Sequence, residues 1–141
     1  MLESRAWLAL WSLCPPYAVY FAFRMGFPDR LTTMWERIFC LAAAACVHAA
    51  LFAAGTMWLR LRRRGEEEGL LSDERDQAID ARATQGAYYV LLLGAVAAGM
   101  ILPFKETGWA IVNASLLFIL LSEVLRNWLI VRAYRGPRLA R

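Results

Sequence analysis

Four apolar blocks of about 20 residues, the length that carries an α-helix across a bilayer core, fall at 6–23, 38–59, 86–104 and 109–131. Hydrocarbon offers no partner to a backbone N–H or C=O, so runs this apolar are read as helices, which satisfy their own backbone. The hydrophobic share of 60% exceeds that of ordinary soluble domains, so lipid must cover part of it. Little chain remains for a separate soluble domain. The expected fold is all-α: a polytopic membrane protein, a four-transmembrane-helix bundle forming one integral membrane domain over 1–141.

The first block reads as a span rather than a signal peptide. Glu3 and Arg5 both precede it, Pro15-Pro16 interrupts it, and no small-residue cleavage site follows. Proline removes a backbone donor and clashes with the preceding turn, so a kink is expected there. The freed carbonyls then need a neighbour, which turns this site toward the bundle.

Basic residues set the expected orientation. Arg60, Arg62, Arg63, Arg64, Arg75 and Arg82 lie in the 60–85 connection, and Arg132, Arg135, Arg138 and Arg141 lie in the tail. Lys and Arg collect on the cytoplasmic side, which predicts a prokaryotic inner-membrane protein with both termini inside. The 27–35 connection and the Lys105-Glu106-Thr107-Gly108 turn then face out, although Arg24, Arg30 and Arg37 weaken the contrast. Trp7, Trp35, Trp58, Trp109 and Trp128 sit near span ends, as an interfacial belt requires. The net charge of +4 suits anionic lipid. No compact basic domain exists to make direct nucleic-acid contact.

Small residues repeat every four positions in two spans: Ala45, Ala49 and Ala53, then Gly94 with Ala98 and Ala95 with Gly99. Such stripes let helix backbones approach closely. The second and third spans are expected to be the tightly packed pair, or one of them to form the seam of a homodimer.

The chemistry-bearing residues concentrate where the 60–85 connection enters the third span. After Gly65, Glu66-Glu67-Glu68 and Gly69, Ser72 is a plausible helix N-cap followed by acids in the first turn. A helix running from Asp73 to Phe104 is about 45 Å long at ~1.5 Å per residue, longer than a ~30 Å hydrocarbon core. Its first turns should therefore project into the cytoplasm. Asp73, Asp76 and Asp80 share one face there, while Arg75 and Arg82 lie on another. Asp76 and Asp80 repel at i, i+4, so the stripe should gain from a cation off its own helix. Candidates are Arg62–Arg64, the tail arginines, a partner protein or a divalent metal. The plain alternative is a solvated charged face.

Glu123 lies inside the fourth span, where carboxylates are costly and face a partner. Arg126 and Asn127 share its face, so a Glu123–Arg126 pair is the simplest expectation, set against an ion-handling role. His48, the one histidine, lies mid-span near Cys46. A soft-metal site from Cys14, Cys46 and His48 is conceivable, but no paired ligand spacing supports it. A packed histidine with a backbone or hydroxyl partner is the simpler reading. Cys40 completes the cysteines, which read as small buried apolar residues rather than a disulfide framework. No metal or other cofactor is expected. No nucleophile–base pair or phosphate-cradling loop appears, so the chain is not expected to be an enzyme.

The segment Asp73-Glu74-Arg75-Asp76-Gln77-Ala78-Ile79, with Tyr88-Tyr89, Glu123 and a closing Tyr134-Arg135-Gly136, resembles a family of small, functionally uncharacterised four-span prokaryotic membrane proteins. Its members share a DER(D/E)-x-x-I signature entering the third span. The resemblance covers the second half of the chain; the first half matches in hydropathy alone. It implies a membrane partner for a cytosolic helix-turn-helix transcription regulator, and supplies no catalytic residues. The function expected is thus non-enzymatic and regulatory, with Asp73, Glu74, Arg75, Asp76, Asp80 and Arg82 as a docking face. The alternative is a small transporter, channel or ligand-binding subunit using Glu123.

Overall fold

The structure, a computed structural model, describes residues 2–27, 33–62, 74–104 and 108–135. Ser72, Asp73, Arg63, Arg64, the acidic run at 66–68, the turn residues 105–107 and the tail beyond Arg135 lie outside the described residues. The chain is all-α. Its helices are α1 (Leu2–Gly26), α2 (Met34–Arg62), α3 (Glu74–Val96) and α4 (Gly108–Arg135). With the turns that extend α3 to Phe104, all four are long and apolar enough to cross a membrane. Each overruns its apolar block at both ends, except α3, which ends with its block at Phe104.

Two compact units make up the chain: Met1–Ala6 with Leu70–Arg141, and Trp7–Gly69. In the first, α3 and α4 pack closely along their length. Gly94 meets Phe118 and Gly86 meets Leu129, so partners on α4 rise in number as those on α3 fall, and the pair is antiparallel. The covered face of α3 runs through Asp76, Asp80, Ala83, Ala87, Val90 and Gly94, while the residues on either side of each stay mostly exposed. The spacing alternates four and three, the repeat that keeps one helical stripe on a neighbouring helix. Close approach at Gly94 depends on its missing side chain, because an added Cβ would overlap Cβ and Cγ of Phe118. The tightly packed partner of α3 within its unit is therefore α4. The small residues of α3 select it by letting a large aromatic sit on the backbone. Ala45, Ala49 and Ala53 of α2 are exposed.

Beyond Val96 the third helix continues but changes winding. Ala97–Ile101 is a π-turn, closed by the Leu102 N–H on the Ala97 carbonyl, and Leu102–Phe104 is a 3-10 turn. Pro103 explains the change: it has no N–H to offer, and its ring clashes with the carbonyl four residues back.

In the second unit α1 runs through Pro15 and Pro16 without a break in helical assignment. It approaches α2 at Gly55, where an added Cβ would overlap the Leu8 side chain. A cavity of about 520 Å³ opens beside the prolines, walled by Val19, Phe23, Val47 and Leu51 among others.

Most polar side chains within the spans are satisfied by their own helix. Ser12 donates to the Ala9 carbonyl, Ser115 to Ile111, Ser122 to Ile119, Thr56 to Ala53 and Asn113 to Trp109. This back-bonding lets short polar residues sit in hydrocarbon without an external partner.

Candidate functional site: a polar clasp at the base of α3 and α4

The acid stripe of α3 and the small-residue seam are one continuous face. Where the seam leaves the apolar block, alanine and glycine give way to Asp80 and Asp76, and α4 answers with polar groups. Arg126 Nη2 lies 2.7 Å from Asp80 Oδ1, and its Nε donates to Thr84 Oγ1 at 3.1 Å. One guanidinium thus grips two positions one turn apart on α3, a fork that an ammonium could not match. Further along, the Tyr134 hydroxyl donates to Asp76 Oδ1. The cation sought for the stripe is therefore Arg126. The repulsion between Asp76 and Asp80 is relieved by one charge and one hydroxyl, both from α4.

The expected Glu123–Arg126 pair gives way to this arrangement. Arg126 leans onto α3, where Asp80 and Thr84 receive it together. The side chain of Glu123 is exposed, with no hydrogen bond or ion pair among the described residues; its backbone carbonyl accepts from Asn127 Nδ2 at 2.8 Å. Asn127 is buried, so the face predicted for Glu123, Arg126 and Asn127 divides three ways: outward, onto α3 and back onto its own helix.

Of the residues expected to form a docking face, Asp76 and Asp80 belong to the clasp. Glu74, Arg75 and Arg82 remain exposed. Asp73 lies outside the described residues. At the same end of this unit Arg135 Nε, on an exposed side chain, approaches Oε1 of the half-buried Glu3 at 3.9 Å. The first turn of the chain and the last turn of α4 are therefore neighbours. Arg132 sits 5.3 Å over the Trp128 ring, and Arg62 sits 4.8 Å over Trp58 at the basic end of α2. Each pair joins an interface aromatic to the positive flank of its helix.

His48 has a distinct role in the second unit. Pro16 lacks the N–H that would serve the carbonyl of Ser12 four residues back, and His48 Nδ1 lies 3.0 Å from that oxygen. The imidazole carries its proton on Nδ1 to donate there. It is held between Tyr17, with ring centroids 5.9 Å apart, and Phe52, stacked at 6.3 Å. Thus α2 answers the Ser12 carbonyl, one of the two that the prolines of α1 leave without a helical donor. Cys14 and Cys46 are exposed and Cys40 is half-buried. No group of three or more His, Cys, Asp or Glu side chains is placed to hold a metal ion among the described residues, so Cys14, Cys46 and His48 are not assembled.

Sequence reasoning missed Tyr134 and Thr84. The alternating four-three spacing from Asp76 to Gly94 was the signal for Tyr134, since it aims the acids at whatever covers Gly94; Thr84 lies off that stripe, one turn on from Asp80. Comparison of the chain with family models, with curated proteins and with solved structures yields no match.

Proposed function

We propose that this is a non-enzymatic regulatory membrane protein of the prokaryotic cytoplasmic membrane that docks a cytosolic partner on the 72–82 segment. One observation carries the reading: the charged start of α3 is continuous with a membrane span, and its acids are held by side chains of the neighbouring span. Rotation or sliding of α4 against α3 would alter how Asp76 and Asp80 are presented. Glu74, Arg75 and Arg82 stay outward throughout and form the constant part of the docking face. A basic partner surface would compete with Arg126 for Asp80, which couples docking to helix packing. A helix-turn-helix regulator is the partner class that the family resemblance implies. The basic ends of α2 and α4 support cytoplasmic termini. The exposed Ala45, Ala49 and Ala53 face is compatible with a symmetric dimer.

The test is co-purification from native membranes followed by mass spectrometry. The triple variant Glu74→Arg, Arg75→Glu, Arg82→Glu should insert normally and lose the partner. Asp76 and Asp80 are unsuitable for this purpose, because changing them also opens the clasp. A partner retained at wild-type level by the triple variant refutes the docking face.

A second reading rests on Glu123. An intramembrane carboxylate is costly, and Glu123 makes no side-chain hydrogen bond or ion pair among the described residues, which leaves it open to an ion or substrate path. It predicts flux in proteoliposomes that Glu123→Gln alters. An inert wild-type protein removes it.

A further inference from the structure

The half of the α3–α4 pair remote from the clasp is not closed. A cavity of about 370 Å³ lies between the helices, walled by Leu91, Gly94, Ala98, Gly99, Ile111 and Phe118 among others. An engineered apolar cavity of about 150 Å³ admits benzene, so this one has room for a larger lipophile. It opens beside Gly99, which is exposed and whose Cβ position meets no atom within 4 Å.

The wall of this cavity is not simply greasy. Ala98 and Gly99 belong to the π-turn, and Pro103 stands at the position that would serve one of their carbonyls: Gly99 in α-helical pairing, Ala98 in π-helical pairing. Neither pairing can be completed by a residue without an N–H. Pro103 therefore withholds a donor from a backbone carbonyl in the wall of this apolar cavity. No charged residue lines the space, and Ser115 already donates to its own helix. The complementary guest is apolar, small and equipped with one hydrogen-bond donor.

We propose that this cavity is a binding site for a membrane-dissolved lipophilic alcohol or phenol, with its hydroxyl donating to the carbonyl that Pro103 leaves unserved and its apolar body seated between Phe118 and Leu91. The site is independent of the docking face. Ions and charged metabolites are excluded by the lining, and a plain alkane would fill the space without answering the acceptor.

The probe is photoreactive azi-octanol, applied to the full chain in lipid nanodiscs, with labelled residues mapped by mass spectrometry. Saturable labelling around Gly99 and Ser115 is expected, competed by octanol about tenfold more effectively than by octane, the discrimination of one hydrogen bond. Gly99→Leu projects a side chain into open space, so the helix pair should survive and the labelling should vanish. Pro103→Ala restores an N–H to the turn. It should retain labelling while erasing the preference for octanol over octane. Labelling that fails to saturate, spreads evenly over lipid-facing residues, or survives Gly99→Leu overturns the site. An octanol preference that survives Pro103→Ala overturns the role of the carbonyl.

Discussion

The Gly94–Phe118 contact supports a graded prediction. A methyl at residue 94 would lie 2.9 Å from Phe118 Cδ1 and nearer still to Cγ and to Cβ, the last fixed by the backbone of α4. Turning the side chain moves Cγ and the ring but not Cβ, so the helices must separate. Overpacking costs about 1–3 kcal/mol, and the near-backbone overlap places Gly94→Ala at the upper end. Alanine returns up to about 1 kcal/mol of helix propensity, leaving a net loss near 2 kcal/mol. At Gly86 the same methyl meets only the tip of Leu129, at 3.0 Å, and that side chain can swing aside. At Gly99 it meets nothing within 4 Å, so Gly99→Ala should be neutral or stabilising by up to about 1 kcal/mol. Reversible unfolding of the full chain in mixed micelles should rank the variants Gly94→Ala, Gly86→Ala, Gly99→Ala, from most to least destabilised. The extremes should differ by about 3 kcal/mol, roughly a hundredfold in the unfolding constant. Equal costs at Gly94 and Gly99 would refute the packing of α3 on α4 through its small-residue face.

Other outcomes follow from the polar contacts. A double-mutant cycle of Asp80→Asn and Arg126→Gln should return a coupling of about 0.5–1 kcal/mol, because both side chains are a third exposed or more. Tyr134→Phe should cost about 1 kcal/mol, and adding Asp76→Ala to it should cost less than the sum of the two; full additivity would deny their contact. His48→Leu strands the Ser12 carbonyl in hydrocarbon and should destabilise by about 1–3 kcal/mol. Adding Pro16→Ala restores the helical donor, so the double variant should recover much of that loss in the same unfolding assay; no recovery would show that His48 acts only by packing.

The spans were legible because apolar length is a coarse signal that a bilayer enforces. Their ends were less so: α4 persists to Arg135 because Arg132 and Tyr134 find partners beyond the apolar block. Half of the clasp was legible. The i, i+4 spacing puts Asp76 and Asp80 on one face and strips them of arginines from their own helix. Arg126 was ambiguous, since an arginine side chain reaches either Glu123 one turn back or a carboxylate across the seam. Only the packing of α3 against α4 decides between them. For His48 a backbone or hydroxyl partner was expected, and Pro16 could have decided between them, because the carbonyl left open by a proline lies four residues earlier. The winding change at Ala97–Ile101 left no mark in the hydropathy pattern, which continues unbroken through it.

The bond between His48 and Ser12 bears on how the chain enters the membrane. Until α2 arrives, α1 holds two prolines that withhold helical donors from the Trp11 and Ser12 carbonyls, and lipid cannot solvate them. A lone unsatisfied group in hydrocarbon costs several kcal/mol. The first span is thus a poor passenger by itself. Its passage from the translocation machinery into lipid is favoured when α2 is already alongside with its imidazole. Release of α1 together with α2 supplies that imidazole at once.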